Sequence, residues 1–375
     1  MKIELHILKK ILTWVLIAIV LFSFGAGASF FYFQKQNFNS LPNEEKKNAP
    51  IDFLSEIYDN ILKEYWDIPN EAILVNFFKQ KSESLTGNQY TLKSTDRAGL
   101  REMLETIIKD LKVDQKKEFS VTLAATVLSN LAPQDRSGLY TLQDEKELAN
   151  RVNNVNPETG VIEPSIVSEL VRPDIFYIAI KRFSPTSFDE FQKAANSLGD
   201  QKGIDTLILD LRGNIGGSID ILQYFLGPFI GIDQYAYEFL HQGERQIFKT
   251  KTGWLPSLVR YKKMVILVDG QSQSTVEVMA GVLKKYNVGV VVGIKTKGWG
   301  TVEKVFEINN QIDSQEKYSM FLVHSLTLAD DNQLIEGRGI VPNISLDDAA
   351  WQTELFSYFH YPELGEVIKE LWNKK

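Results

Sequence analysis

The chain has 375 residues, 44% hydrophobic and 24% charged, with a formal net charge of −7, a globular composition that allows one large domain with an appendage or two smaller domains. The acidic balance excludes a nucleic-acid partner, because no Lys/Arg cluster beyond residue 50 is dense enough to reverse it. Zero cysteines exclude disulfides, thiolate metal sites and a cysteine nucleophile, and His6, His241, His324 and His360 form no metal spacing, so neither a metal nor a cofactor is expected.

Residues 11–33 carry no charge over 23 positions, enough for roughly 34 Å of helix. Lys2, Lys9 and Lys10 precede the run, and Trp14 and Phe30 to Phe33 lie near its ends. The pattern predicts a cytoplasmic tail at 1–10, a transmembrane helix at 11–33 and a single-pass membrane localisation with the main domain extracytoplasmic. Small residues at Ala26-Gly27-Ala28 leave a cleaved leader as the other reading. Residues 34–50 are polar, contain two prolines and read as a linker.

A helical subdomain is expected over 51–170. Phe53, Leu54, Ile57, Tyr58, Ile61, Leu62 and Tyr65 recur at three- and four-residue steps behind Asp52 as a cap, and a second helix follows an Asn70 cap through Phe78. Leu100 to Leu111 and Phe119 to Leu131 outline two more. These stripes read as core.

From 171 to 350 strands and helices alternate. The strands Ile175–Ile180, Thr206–Leu211 and Met264–Asp269 are apolar on both faces, as in a sheet covered by helices, which gives an α/β core. Arg212-Gly-Asn-Ile-Gly-Gly217 ends one strand and is expected to open a helix at Ser218, placing the Gly216 and Gly217 amides where an anion can approach. Taken alone, this segment reads better as a tight turn needing glycine. Ser274 sits between a strand and a helix, where the helix dipole favours negative charge, although Ser272 or Ser274 would also serve as a plain N-cap. A final helix is expected within 351–375, from Leu355 to Trp372.

In order, Ile175 to Phe183, LILDLRGNIGG (207–217), SQSTVEVMAGVLKK (272–285), VGIKTKGWGTVEKVF (292–306) and GRGIVPNI (337–344) resemble the C-terminal processing, or tail-specific, serine peptidase family. The resemblance implies a crotonase-like core of stacked ββα units, a Ser/Lys dyad, and unstructured polypeptide tails as substrates.

Two departures stand against it. The family usually inserts a PDZ domain of about ninety residues before the core, whereas residues 141–174 are too few for an independent domain. Position by position, the nucleophile falls on Ser274 but the general-base lysine falls on Trp299, whose indole has no basic lone pair. Lys297 lies two residues earlier, about 6.6 Å along an extended strand and on the same face if that strand is regular, while a solvated turn lysine is its plainer reading. Two functions follow. In one, Ser274 attacks a peptide carbonyl, Lys297 takes its proton and the amides of Gly217 and Thr275 hold the oxyanion. In the other, the groove formed by Gly216 and Trp299 binds peptide without cleaving it, as a pseudopeptidase scaffold. The sequence is silent on oligomeric state.

Overall fold

The computed structural model describes residues 43–199, 201–329 and 331–374. The expected membrane span at 11–33 lies outside them. Among the described residues no helix is long and apolar enough to cross a membrane, and the single-pass localisation read from the sequence is corrected accordingly.

Four helices come first: α1 (Asn43–Glu64), α2 (Glu71–Thr86), α3 (Arg97–Lys109) and α4 (Val113–Ser129). Asn70 caps α2 as its sequence implies, with its side-chain oxygen accepting from the Ile73 amide at 3.1 Å. Asp52 is not a cap. Helix α1 starts at Asn43, inside the stretch read as linker, runs through Pro50, and leaves Asp52 on its surface in an ion pair with Arg101. The apolar stripes of α1 to α4 converge on one core that also takes Met320, Leu322 and Leu326 from a β-strand far along the chain.

That strand belongs to a five-stranded antiparallel sheet. Its members are β1 (Gly138–Thr141), β5 (Tyr235–His241), β6 (Glu244–Lys249), β9 (Thr301–Glu307) and β10 (Tyr318–Thr327), in the order β1-β10-β5-β6 with β9 also on β10. Helix α5 (Leu142–Val152) and a bridge between Val155 and Ile162 lead from β1 toward the second sheet.

The second sheet has the order β11-β8-β7-β4-β3-β2, built from β2 (Ile166–Arg172), β3 (Ile175–Ile180), β4 (Thr206–Asp210), β7 (Lys263–Val268), β8 (Val290–Gly293) and β11 (Ile344–Ser345). All neighbours are parallel except β2 with β3. Side-chain alternation sends Phe176, Leu207, Leu209 and Ile266 to one face, under α6 (Ser187–Asn196), α7 (Leu222–Ile230), the short α8 (Pro256–Val259) and α9 (Thr275–Lys285). Tyr177, Ile208, Val265 and Leu267 point to the other face, under α10 (Trp351–Phe359) and α11 (Glu363–Asn373). Both faces are dry, which is why these strands read as continuous apolar runs.

The expected single C-terminal helix is two. Pro362 disfavours helical geometry in the residue before it, and His360 takes the left-handed conformation (φ 49°, ψ 38°) that turns the chain between α10 and α11.

Candidate functional site

The parallel strands β3, β4, β7 and β8 release the chain at one edge of their sheet, and the segments that follow them meet there. At the end of β4, Asp210 and Arg212 form a buried bidentate pair, with the Tyr177 hydroxyl donating to the same carboxylate at 2.8 Å. Asn214 is fully buried; its side chain donates to the Ile180 carbonyl and accepts from the Gly216 amide, each at 2.8 Å. After β7, the Ser272 hydroxyl donates to the Leu211 carbonyl at 2.9 Å, so this serine fastens two strand ends together instead of capping a helix.

The glycine turn differs from its sequence reading. Helix α7 opens at Leu222, not Ser218, and Gly217 forms a parallel bridge with Phe183. The Phe183 amide donates to the Gly216 carbonyl at 3.1 Å, and the Ser218 amide to the Phe183 carbonyl at 2.8 Å. Gly216 has φ 91°, and a Cβ placed on it would stand 2.8 Å from the Ser274 Cβ and 3.2 Å from its Oγ. A Cβ on Gly217 would lie 2.2 Å from the Phe183 carbonyl oxygen. Both positions need glycine because of close approach as well as conformation.

Ser274 directly precedes α9 and holds φ 62°, ψ −127°, a conformation that costs a non-glycine residue of order 1–3 kcal/mol. The Thr275 hydroxyl donates to the Gly217 carbonyl at 3.0 Å, which ties the start of α9 to the glycine turn. Among the described residues the amides of Gly217 and Thr275 have no acceptor, leaving two donors beside Ser274 for an incoming carbonyl oxygen.

Glu277 holds the arrangement together. Fully buried, its carboxylate accepts from the Ser274 amide at 2.9 Å, the Thr296 hydroxyl at 2.5 Å, and the Gly298 and Trp299 amides at 2.7 Å each. Burial pushes its carboxyl above the ordinary range, opposed by these hydrogen bonds.

Trp299 is half-buried and clamped. The Arg136 guanidinium stacks 3.3 Å from the indole centroid and pairs with Glu336 at 3.2 Å, while Glu336 also accepts from the Gly300 amide at 2.7 Å. The indole N–H donates to Glu303 at 3.1 Å, and the Thr301 hydroxyl donates to the same oxygen at 2.5 Å. Burial pushes the Glu303 carboxyl upward.

Of the residues singled out in the sequence, Ser274, Thr275, Gly216 and Gly217 therefore come together, and Trp299 joins them through Glu277. Lys297 does not share a strand face with Trp299: strand β9 begins only at Thr301, Gly298 has φ 82°, and the Lys297 side chain is exposed with its amide donating to the Ser272 carbonyl at 3.0 Å. The Ser274 hydroxyl has no basic side chain as a hydrogen-bond partner among the described residues. Sequence reasoning overlooked Glu277, although the Ser-x-x-Glu spacing of a capping box marks it. Arg136 and Glu336 are 200 positions apart and carried no sequence signal.

Residues 174–346 match peptidase family S41. The chain is 29% identical over 175 residues to the carboxy-terminal processing protease CtpB of Bacillus subtilis, covering 45% of this chain and 33% of that one. It is 25% identical over 332 residues to a probable CtpA-like serine protease of Staphylococcus aureus, covering 86% of this chain and 63% of the relative, so it spans less than two thirds of either. Among solved structures, a lipoprotein from Streptococcus agalactiae superposes with a TM-score of 0.55 at 15% identity, over 86% of this chain and 99% of that one, a likeness of fold.

Proposed function

From the membership of this chain in peptidase family S41, carried by residues 174–346, we propose that it binds unstructured polypeptide segments in the cleft beside Ser274 and acts there as a scaffold without the Ser/Lys chemistry. The observation that carries this reading is the clamped indole. Trp299 occupies the position where the family resemblance calls for a lysine, and Arg136, Glu303 and Glu336 hold it as a fixed wall. A rigid aromatic surface takes up peptide side chains at low entropic cost. With only α5 and a short bridge between β1 and β2, capture of a peptide falls to the cleft itself.

The second reading, a peptidase with Ser274 as nucleophile and the Gly217 and Thr275 amides as its oxyanion donors, is favoured by the strained Ser274 backbone and those two open amides. Lys297 would have to leave solvent to serve as its base.

The deciding experiment incubates the purified protein with a fluorogenic unstructured peptide and, in parallel, with an acylating serine probe followed by peptide mapping. Binding of the peptide with neither cleavage nor Ser274 labelling fits the scaffold. Cleavage lost in both Ser274→Ala and Lys297→Ala establishes the peptidase instead, and absence of any peptide binding removes both.

A further inference from the structure

Strand β10 changes register between Val323 and Ser325, which leaves His324 as the extra residue of a β-bulge, and the end of α1 is fastened to that bulge. The His324 Nδ1–H donates to the carbonyl of Glu64, the last residue of α1, at 2.9 Å, and the His241 Nδ1–H donates to the His324 carbonyl at 2.5 Å. The Trp66 amide donates to the Val323 carbonyl at 3.1 Å. Gln242 completes the fastening, its side-chain amide donating to the carbonyls of Leu62, Lys63 and Tyr65 at 3.3, 3.1 and 3.2 Å. Because a carbonyl only accepts, both imidazoles carry hydrogen on Nδ1 and keep a lone pair on Nε2.

The same junction pins both ends of the segment that carries Arg136. At one end the Ala132 carbonyl accepts from the Tyr65 hydroxyl and from the Trp66 indole N–H, the latter at 2.9 Å. At the other, the buried Ser137 hydroxyl accepts from the Val323 amide at 3.1 Å. Between these pins Arg136 stacks on the Trp299 indole. The end of α1 and the bulge therefore set where the clamp on Trp299 sits.

A proton on the His324 Nε2 disturbs this junction. The two imidazole rings stack with centroids 4.1 Å apart. The charged and titratable groups facing His324 are the Glu64 carboxylate on α1 at 3.7 Å, already paired with Lys63 at 2.7 Å, His241 on β5, and Lys304 on β9, two residues before Phe306, whose ring lies 5.9 Å away. An imidazolium would thus have one shared carboxylate in its favour and Lys304 and a second ring against it. Neither ring can swing away without giving up its bond to the Glu64 or the His324 carbonyl. Relief comes at the bulge, where Val323 holds Trp66 and Ser137.

We propose that the His241–His324 pair is a proton-operated latch: neutral, it holds residues 132–137 so that Arg136 fixes the Trp299 wall, and protonated, it releases that wall. The latch acts whether or not the cleft holds a peptide, so its test needs no ligand.

Fluorine NMR of the full chain labelled with 5-fluorotryptophan reads the wall directly. The Trp299 resonance is picked out among those of the six tryptophans by its loss in Trp299→Phe, and Arg136→Ala at pH 7.5 supplies the released position. Between pH 7.5 and 5 the wild-type signal is expected to move reversibly toward that position. In His324→Gln, whose amide can still donate to the Glu64 carbonyl, the signal should stay at its neutral-pH place. A wild-type signal that does not move overturns the latch, as does an equal shift in both proteins, which would assign the response to Glu303 or Glu336 at the clamp itself. Two more variants keep the test decisive if His324→Gln fails to fold. His241→Gln removes the neighbouring ring and should raise the pH midpoint of the shift, and an unchanged midpoint overturns the pair. Ser137→Ala cuts the pin between the bulge and Arg136, so Trp299 should sit nearer the released position at pH 7.5 and respond less to acid; a full wild-type response there overturns the route. Far-UV circular dichroism over the same range separates release from unfolding, and a shift that appears only with loss of helix signal sinks the proposal.

Discussion

The Glu277 carboxylate lies 2.9 Å from the Ser274 amide nitrogen and, through its other contacts, fixes the backbone leading into Trp299 at the Gly298 and Trp299 amides. One buried side chain therefore sets both the strained turn before α9 and the wall that faces it.

Glu277→Gln is isosteric but turns one acceptor oxygen into an N–H₂ group facing backbone donors. Each donor left unsatisfied in a buried site costs about 1–3 kcal/mol, so the variant should lose a few kcal/mol in urea denaturation and most of its affinity for peptide. Wild-type stability in Glu277→Gln would show that the four contacts add nothing.

Glycine at 216 and at 217 should respond differently. Gly216→Ala presses on the side chain of Ser274, whereas Gly217→Ala drives a methyl group into the Phe183 carbonyl, which is backbone and cannot step aside. The 216 variant is expected to remain folded with impaired ligand binding. The 217 variant should melt well below it in a thermal scan, and the reverse order would refute the assignment.

Trp299→Phe keeps an aromatic partner for Arg136 and drops the bond to Glu303; Trp299→Ala drops both and leaves a cavity. The losses expected are about 1–2 kcal/mol for the first and about 3–5 kcal/mol for the second, read from chemical denaturation. Trp299→Lys, with the fold checked in parallel, asks whether the frame lacks only its base: peptide hydrolysis that disappears on adding Ser274→Ala would say so, with a gain of roughly 10²- to 10⁴-fold from a positioned base.

The junction between the helices and the antiparallel sheet should be sensitive to acid. His324 donates from Nδ1 to the Glu64 carbonyl at 2.9 Å, stacks on His241 at 4.1 Å, and lies near Lys304 and the Glu64 carboxylate. Burial, chiefly, lowers its pKa below the ordinary 6.5. The folded state then binds fewer protons than the unfolded one, so this group's contribution is intact above 6.5 and is lost as the pH falls below it, until the depressed folded value is passed. Urea midpoints from pH 7.5 to 5 should fall more for the wild type than for His324→Gln, and parallel curves would exclude this histidine as the cause.

Much of this architecture was written locally. The double-sided apolar runs at Ile175–Ile180 and Thr206–Asp210 announced a covered sheet, and Asn70 announced a helix start, because both signals depend on neighbours a few residues away. Ser274 and the glycines were legible for the same reason. The Phe183–Gly217 bridge, which takes the place of the helix expected at Ser218, depends on two strands exiting the sheet side by side, a relationship no local pattern encodes. The same holds for the Arg136 clamp on Trp299: a partner so far along the chain is settled only when distant segments pack.

All the bonds from Glu277 into the 296–299 segment end on backbone amides or on Thr296, and none on the side chain at 299. The loop that presents residue 299 is thus moored without regard to what that residue is. A change of side chain at 299 therefore leaves the moorings of its own backbone in place, so whatever such a change alters in the site comes from the side chain and not from a displaced loop.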